Sequence, residues 1–508
     1  MRVKALLEGC DYRVMKGESG ILDGEVAGIA YDSRQVKENY LFVAIRGEKV
    51  DGHMFVDDAV AKGARVVVAE RDAGLPGCAC VLVGDSRRAL ACIANNFYGR
   101  PSEDLFVAGV TGTNGKTTTT HILKSILEAW GKYVGMIGTI RHMVRDRSFP
   151  ALHTTPESVE LQELLREMVR EGCTHVVAEV SSHALAQHRV DGVVFRAAVF
   201  TNLTRDHLDF HGTMEEYFEA KKRLFTELLH EDASAVVNTD DAYGKRLAAL
   251  LESASPARSV ITCGVGEEAR MRASDIQTSF DGVRFRLSYE GRRYDVASAL
   301  IGTPNVYNIL SAAAAAVSMG VPWDDILEGI GKTRPVAGRF ERIDEGQPFL
   351  CLVDYAHTED ALERLIVTAR ELLSSARLVG TSSGSGRIIT VFGCGGDRDQ
   401  GKRPRMGEIA TRLSDFAIIT SDNPRSENPL DIIKQIEDEA VSARYLVEPD
   451  RRIAIQKAVE MAGDGDMVLV AGKGHEEYQE ISGVRYPFSD VAVLRESIRR
   501  RYGGGGAG

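Results

Sequence analysis

The sequence has no CxxC pair, no excess of basic residues, no apolar h-region at its start and no apolar run long enough to span a bilayer. Each absence narrows the field. Eight scattered cysteines (Cys10, Cys78, Cys80, Cys92, Cys173, Cys263, Cys351, Cys394) in a chain this long read as reduced, mostly buried thiols, not a disulfide framework. A formal charge of −11 argues against broad nucleic-acid binding, which needs a basic face, yet leaves room for local positive pockets that take small anions. The opening "MRVKALLEGCDYRVMKGESG" carries no signal peptide, and the run Ala312–Ala316 sits in an apolar stretch far short of the roughly 20 residues a spanning helix needs. A cytoplasmic protein without membrane or nucleic-acid partners is expected. No short-period repeat is visible.

What is present is a long α/β alternation. A chain of 508 residues exceeds one ordinary core and suggests about three domains. In the first, residues 1–102, short β-branched runs ("YLFVAIRG", "ARVVVAE", "CVLVG") alternate with helical or turn-like stretches, and "RPSEDLF" (100–106) reads as a linker. In the second, residues 103–336, "LFVAGV", "THVVAEV" and "AAVFTNL" read as buried strands. A helix is expected from Lys116 to Trp130, closed by Gly131. "MEEYFEAKKRLFTELL" has helical periodicity through Leu228 and Leu229, "VRFRLSYEGRRYDVASAL" reads as a hairpin, and "NVYNILSAAAAAVSMG" as a helix. The third, residues 337–508, repeats the alternation with "FLCLVDY", "RIITVFG", "FAIITSD" and "DMVLVAG", the pattern of a mostly parallel sheet with ligands at its strand ends. "SSARLVGTSSGSG" (374–386) reads as a solvated loop and "GGGGAG" as a disordered tail.

The chemistry starts at "VAGVTGTNGKTTTTH" (107–121). Glycines let backbone N–H groups approach phosphate oxygens, and the helix that follows adds its positive N-terminus. Lys116 would neutralise phosphate charge and the Thr117 hydroxyl could ligate Mg²⁺. The common GxxxxGK[ST] spacing fails, because Val110 stands where its first glycine belongs; a shorter Gly112-Thr113-Asn114-Gly115-Lys116-Thr117 version takes its place. Glu179 ends the next apolar run, where a second Mg²⁺ ligand would help. "TNLTRDHLDFHG" groups Asp206, His207, Asp209 and His211, a metal set or simply a loop of satisfied polar residues.

"GTNGKTT", "AEVSSHAL", "TNLTRDHLDFHG" and "YFEAKKRLF", followed by "GTPNVYN", "RPVAGRFE", "VDYAHT", "FGCGGDRDQGKRP", "SDNPR" and "AGKGHE", resemble in order and spacing the Mur ligase family of peptidoglycan synthesis, over nearly the whole chain. The resemblance implies three α/β domains: an N-terminal uridine-nucleotide domain, a central phosphate-loop sheet that is mostly parallel, and a C-terminal Rossmann-like domain. It implies ATP-dependent addition of meso-2,6-diaminopimelate to UDP-N-acetylmuramoyl-L-alanyl-D-glutamate through an acyl phosphate, with small-molecule partners only and a monomeric enzyme.

Roles carry over residue by residue. ATP falls to Gly112, Thr113, Asn114, Gly115, Lys116, Thr117 and Thr118, with Asn305 or Asn308 at adenine, Arg339 at phosphate and Asp354 at ribose. Two Mg²⁺ sites draw on Thr117, Glu179, His207 and a modified Lys221. Lys221 matches a lysine that CO₂ converts to a carbamate (N6-carboxylysine), with the neighbouring Lys222 one residue out of register. On sequence alone, Lys221 beside Lys222 and Arg223 would be a solvated surface lysine. Lys116, His207 and Lys221 are thus the expected catalytic residues. The precursor falls to Tyr31, Ser33, Glu48, Lys49, Val50, His153, Thr154, Thr155, Ser181, Gln187 and Arg189. Glu48-Lys49-Val50 stands where some relatives carry a His-Gln-Ala-like stretch, which points to backbone contacts there.

The amino acid falls to Arg398, Asp422, Asn423, Pro424, Arg425, Gly472 and Glu476. Diaminopimelate has a distal carboxylate that lysine lacks; Arg425 offers it a planar fork while Asp422 and Asn423 can accept from the ammonium. Diaminopimelate-specific members of the family carry this DNPR stretch. Two rivals remain: a related amide ligase such as folylpolyglutamate synthetase, against which "SDNPR" and the first domain argue, and a nucleotide-dependent switch that hydrolyses ATP slowly.

Overall fold

The computed structural model describes residues 1–15, 20–47, 50–72, 78–254, 259–378, 386–441 and 443–502. Glu48, Lys49, the tail "GGGGAG" and most of the expected 374–386 loop lie outside them.

Three large sheets succeed one another along the described residues, and a two-stranded hairpin (Tyr478–Ile481/Val484–Pro487) follows the third. The first has five strands, four parallel (Gly28–Ala30, Tyr40–Val43, Ala64–Ala69, Ala79–Val83) and Tyr12–Val14 antiparallel at one edge. The second has eleven strands. At its heart Val134–Ile137, His175–Glu179, Phe106–Thr111, Phe195–Phe200, Leu229–Asn238 and Val260–Gly264 run parallel, and antiparallel hairpins extend both edges. The third has six, with Leu350–Asp354, Met467–Ala471, Ile388–Phe392, Phe416–Ile419 and Tyr445–Val447 parallel and Glu341–Ile343 antiparallel.

The strands expected from β-branched runs are present within a residue or two, except where "YLFVAIRG", "AAVFTNL" and "FAIITSD" stop up to four residues early. Their alternation explains why both sheet faces are covered. Val107, Val176, Ala198 and Val237 pack with Leu165, Tyr217 and Phe225 on one side of the central sheet. Their neighbours Ala108, Val177, Ala197 and Val236 pack with Ile126 and the buried alanines 312–316 on the other. The hairpin Gly282–Tyr289/Arg292–Ser298 turns through Glu290 (φ 47°) and Gly291 (φ 75°), two consecutive left-handed residues that match the twist of its strands.

Three expectations need correction. "RPSEDLF" is no free linker: Pro101 and Ser102 are buried in a short 3₁₀ turn, Ser102 Oγ accepts from the Val194 N–H, and Phe106 already begins a strand. The helix holding Lys221 ends at Thr226, and Leu229 starts a strand, so a helical period over-ran a helix-to-strand boundary. Residues 374–378 continue the helix Glu359–Leu378 despite two serines, whose hydroxyls bond back to the carbonyls of Arg370 and Glu371.

Candidate functional site

The loop 112–115 leaves the strand Phe106–Thr111 and enters the helix Lys116–Ala129. Gly112 (φ 146°) and Gly115 (φ 87°) are required as glycines. A Cβ on the first would lie 1.9 Å from Thr201 Oγ1 and on the second 2.4 Å from Asn308 Oδ1. Behind the loop, Gly329 lets the helix Trp323–Lys332 touch the backbone of Ile126, and Ser125 Oγ donates to the Gly329 carbonyl, fixing the phosphate-loop helix.

A cavity of about 460 Å³ opens over this loop and is lined from two sheets. The central one supplies residues 113–118, Thr139, Thr154, Glu179, Asp206, His207 and Asn308; the C-terminal one supplies Arg339, Asp354, Tyr355, His357 and Arg364. Glu179, almost fully buried, accepts from Thr117 Oγ1 (3.0 Å), Thr139 Oγ1 (2.9 Å) and the Thr139 N–H (2.8 Å). Arg339 Nη2 crosses from the C-terminal unit to donate to Thr117 Oγ1 at 3.2 Å. Asn114 Nδ2 and Thr204 Oγ1 both donate to Asp360, a second stitch across the seam. Asp354 accepts from the Phe340 and Ala356 N–H groups, and burial raises its pKa. Asn305 and Asn308 are both buried; the Asn308 amide donates to Asn305, and both line the cavity.

Among the described residues, two lysines meet at the loop with no carboxylate in hydrogen-bond reach. Lys116 Nζ folds back on the carbonyls of Gly112 (3.0 Å) and Thr113 (2.9 Å). Lys221 Nζ donates to the same Gly112 carbonyl at 2.8 Å and lies 4.6 Å from the centre of the Tyr217 ring. Lys221 is 1% exposed, which overturns the solvated-surface reading: its helix Met214–Thr226 turns Tyr217, Lys221 and Leu224 inward together. Lys222, half-buried, pairs instead with Glu219. Burial first, then Lys116 beside it, pushes the Lys221 amine well below an ordinary lysine, against a weaker pull from Asp206. Burial likewise lowers Lys116. His207, in a left-handed conformation (φ 55°), is depressed to about 3 by burial and lies 3.3 Å from Asp206, edge-on to the ring of His183. His357, absent from the sequence reading, is depressed to about 4 by burial and has its Nε2 4.0 Å from Asp206.

Among the described residues no group of three His, Cys, Asp or Glu side chains could hold a metal unaided. The donor set of Thr117 and Glu179, a hydroxyl 3.0 Å from a carboxylate at the mouth of a phosphate loop, nonetheless suits Mg²⁺, which takes one or two protein oxygens and fills its remaining positions with phosphate and water.

Contacts expected for a precursor gather beyond Glu179. Thr154 Oγ1 is 3.1 Å from Thr139 Oγ1. Thr155 donates to the Glu179 carbonyl and accepts from the Ser181 N–H, and Ser181 caps the helix Ser182–Ala186. Arg189 donates to Gln187 (2.6 Å) and to the Thr155 carbonyl, and pairs with Glu157 at 2.9 Å. Arg87 of the N-terminal sheet unit shares Glu157, and the Tyr31 hydroxyl donates to Glu160 at 2.8 Å, so both units build this seam. Ser33 is buried with its carbonyl bound to Lys62, whereas Val50 and His153 are exposed.

At the end of the strand Phe416–Ile419, Asp422 and Asn423 are buried. Gly472 (φ 117°) leaves room for Asp422, whose Oδ2 a Cβ would meet at 2.5 Å. Burial would raise Asp422, but Lys473 and Arg451 hold it below the usual carboxylate range. Arg425 (φ 52°) donates from Nη1 to the Gly396 carbonyl at 2.7 Å, and the Pro424 carbonyl passes so close to Gly396 that a Cβ there would sit 2.0 Å away. Arg398 is exposed and donates to the Asp397 carbonyl. One expectation changes: Asn423 Oδ1 already accepts from Lys473 Nζ (2.9 Å) and the Glu480 N–H (2.9 Å), so its carbonyl has no lone pair left for a substrate ammonium. Lys473, completely buried, escaped the sequence reading although it stands inside the "AGKGHE" motif. Only its partners, Asn423 and Glu476, reveal it.

Fold and site together define a class: a three-sheet α/β protein whose phosphate loop faces a second, C-terminal lobe across a shared cavity. Residues 25–98 match the Mur ligase family catalytic domain, 110–316 the Mur ligase middle domain and 338–474 the Mur ligase glutamate ligase domain. A UDP-N-acetylmuramoyl-L-alanyl-D-glutamate–2,6-diaminopimelate ligase of Solibacter usitatus is 47% identical over 483 residues, covering 94% of each chain. A solved structure of a protein of that name is 32% identical over 99% of both chains with a TM-score of 0.69. The folylpolyglutamate synthase of Mycobacterium tuberculosis, at 16% identity, shares the fold over 82% of this chain and 95% of its own, with a TM-score of 0.61. The chain belongs to the Mur ligase family.

Proposed function

We propose that this chain is an ATP-dependent ligase that joins meso-2,6-diaminopimelate to UDP-N-acetylmuramoyl-L-alanyl-D-glutamate, releasing ADP and phosphate, in the cytoplasm and as a monomer. Residues 1–102, 103–336 and 337–508 are its uridine-nucleotide, ATP and amino-acid domains. The observation that carries this reading is a phosphate loop that shares its cavity with the C-terminal lobe, the same lobe that holds the buried Asp422 and Asn423 beside Arg425, in a chain nearly half identical to ligases of that name.

The chemistry follows from the charges. A carboxylate does not react with an amine at neutral pH, so its oxygen first attacks the γ-phosphorus of ATP; ADP leaves, and the amine then displaces phosphate from the acyl carbon. Residues 112–118 cradle the phosphates, with Lys116 released from the loop carbonyls to them; Asn305 or Asn308 meets adenine, Arg339 phosphate and Asp354 ribose. Thr117, Glu179 and His207 would hold Mg²⁺, which neutralises phosphate charge when bound. Lys221 is suited to carbamylation because CO₂ combines only with a neutral amine, the form its burial favours. Tyr31, Ser33, Thr154, Thr155, Ser181, Gln187 and Arg189 face the precursor, and Arg398, Arg425, Asp422, Gly472 and Glu476 the amino acid.

The test is ADP release. It requires the precursor and diaminopimelate together; equal turnover without the amino acid would point to a nucleotide switch, and acceptance of a folate in place of the precursor would point to the related ligase.

A further inference from the structure

The amino-acid loop is held by a polar network with one buried cation at its centre. Lys473 Nζ donates to Asn423 Oδ1 (2.9 Å) and Glu476 Oε2 (3.0 Å), and stands 3.7 Å from Asp422 Oδ1. Asn423 Nδ2 donates to the same Glu476 oxygen at 2.8 Å. The strand Tyr478–Ile481 closes the arrangement: the Glu480 N–H bonds Asn423 Oδ1, the Glu480 carbonyl accepts from the Arg425 N–H (3.0 Å), and Gln479 Nε2 donates to the Asp422 carbonyl.

This network leaves a specific remainder. Both lone pairs of Asn423 Oδ1 are used, and Glu476 Oε2 takes two donors. Among the described residues no hydrogen bond reaches Glu476 Oε1, whose carboxylate side chain keeps 17% of its surface exposed. On the other side of the Glu480 backbone, Arg425 spends Nη1 on the Gly396 carbonyl, and its Nε is 4.0 Å from Glu480 Oε2, too far for a hydrogen bond. The loop therefore presents one free carboxylate oxygen and one partly free guanidinium, each tethered through its other atoms. A carboxylate and a guanidinium in one loop network complement an ammonium and a carboxylate, the two groups of an amino-acid zwitterion, and not an ammonium alone.

We infer that Lys473 is a positioning residue that sets selectivity for a zwitterionic side-chain end: it holds Glu476 at a fixed station in the network that also anchors Arg425, with Asn423 as a second tether. The inference rests on the proposed reaction. Lys473 touches no substrate in this account; its charge fixes one carboxylate and offsets another, so that Glu476 need not reorganise when the amino acid arrives.

Steady-state kinetics on the full chain with ATP, the UDP-dipeptide precursor and either meso-diaminopimelate or L-lysine test it. Losing one charge-assisted tether in Lys473→Gln raises KM for diaminopimelate by about 10- to 100-fold, while KM for ATP and the precursor stay within about threefold. Preference for diaminopimelate over lysine shrinks in step. Glu476→Gln behaves similarly, and the double variant is no worse than the poorer single one, because both remove the same station. Equal rises in all three KM values, or effects of the two substitutions that multiply, would overturn the inference and leave Lys473 a stabilising residue only. If Lys473→Gln does not fold, Asn423→Ser decides: a selective rise in KM for diaminopimelate supports the tether, and an unchanged value refutes it. Failure of the wild type to use diaminopimelate at all would instead refute the proposed reaction, independently of any variant.

Discussion

The phosphate loop and the amino-acid loop are built on the same plan and treat their lysines in opposite ways. Each follows a parallel strand, and each needs left-handed residues, Gly112 and Gly115 in one and Arg425 in the other. At the phosphate loop, Lys116 and Lys221 bond, among the described residues, only to backbone carbonyls, and burial depresses both. At the amino-acid loop, Lys473 is as buried as Lys221 but lies among Asp422, Asn423 and Glu476. A buried ammonium without an anion is costly, and it persists where an anion is due to arrive; a buried ammonium with its anions already in place is structural. On the proposed function, the difference separates lysines that await chemistry from one that shapes a pocket.

The strongest way to break this contrast is at Lys221. Lys221→Ala removes the group suited to carbamylation and is expected to lower kcat by at least about 10³-fold, the scale of losing a preorganised charge, without rescue by high bicarbonate. Wild-type rates in that variant would put Lys221 on the structural side. Next in size, Arg425→Lys exchanges a planar fork for a point charge. KM for diaminopimelate should rise about 10- to 100-fold with ATP affinity nearly unaltered, and an unchanged KM would remove Arg425 from recognition.

The smallest effect is on stability and sharpens the contrast by pH. His183, His207 and His357, around the phosphate side, are held by burial at about 4, 3 and 4, below the ordinary histidine value of 6.5. The unfolded chain therefore takes up protons first as pH falls. Stability is complete above about pH 6.5 and declines toward pH 4, by less than the full linkage slope because His207 and His357 keep about a third of their side-chain surface in solvent. Asp422 loses stability in the same direction but in a lower window: its lowered carboxyl contributes fully above its ordinary value of 3.8, so the amino-acid loop stays intact over the histidine range. Urea midpoints should drop between pH 7 and pH 5, and less steeply in a His183→Gln/His357→Gln variant. A flat wild-type profile would contradict the assignment.

Much of this was legible in the sequence because it is local. Alternating β-branched runs located the parallel strands, and the glycine-lysine-threonine spacing located the phosphate loop at the end of one of them. Glu179 was legible for the same reason, as a charge terminating an apolar run. Pairings distant in sequence were not. Nothing near Lys221 announces that its ammonium reaches the Gly112 carbonyl, nor does "AGKGHE" reveal that Lys473 spends one donor on Asn423, fifty positions away. His357 and Asp360, which line or stitch the seam, follow an ordinary strand end and gain meaning only from Asp206, Asn114 and Thr204 across it.

Transfer of label decides the central claim most directly. With ¹⁸O in the side-chain carboxylate of the precursor's terminal D-glutamate, activation by phosphoryl transfer predicts one labelled oxygen in the inorganic phosphate for each amide bond formed. Phosphate free of label, with amide still accumulating, would contradict it.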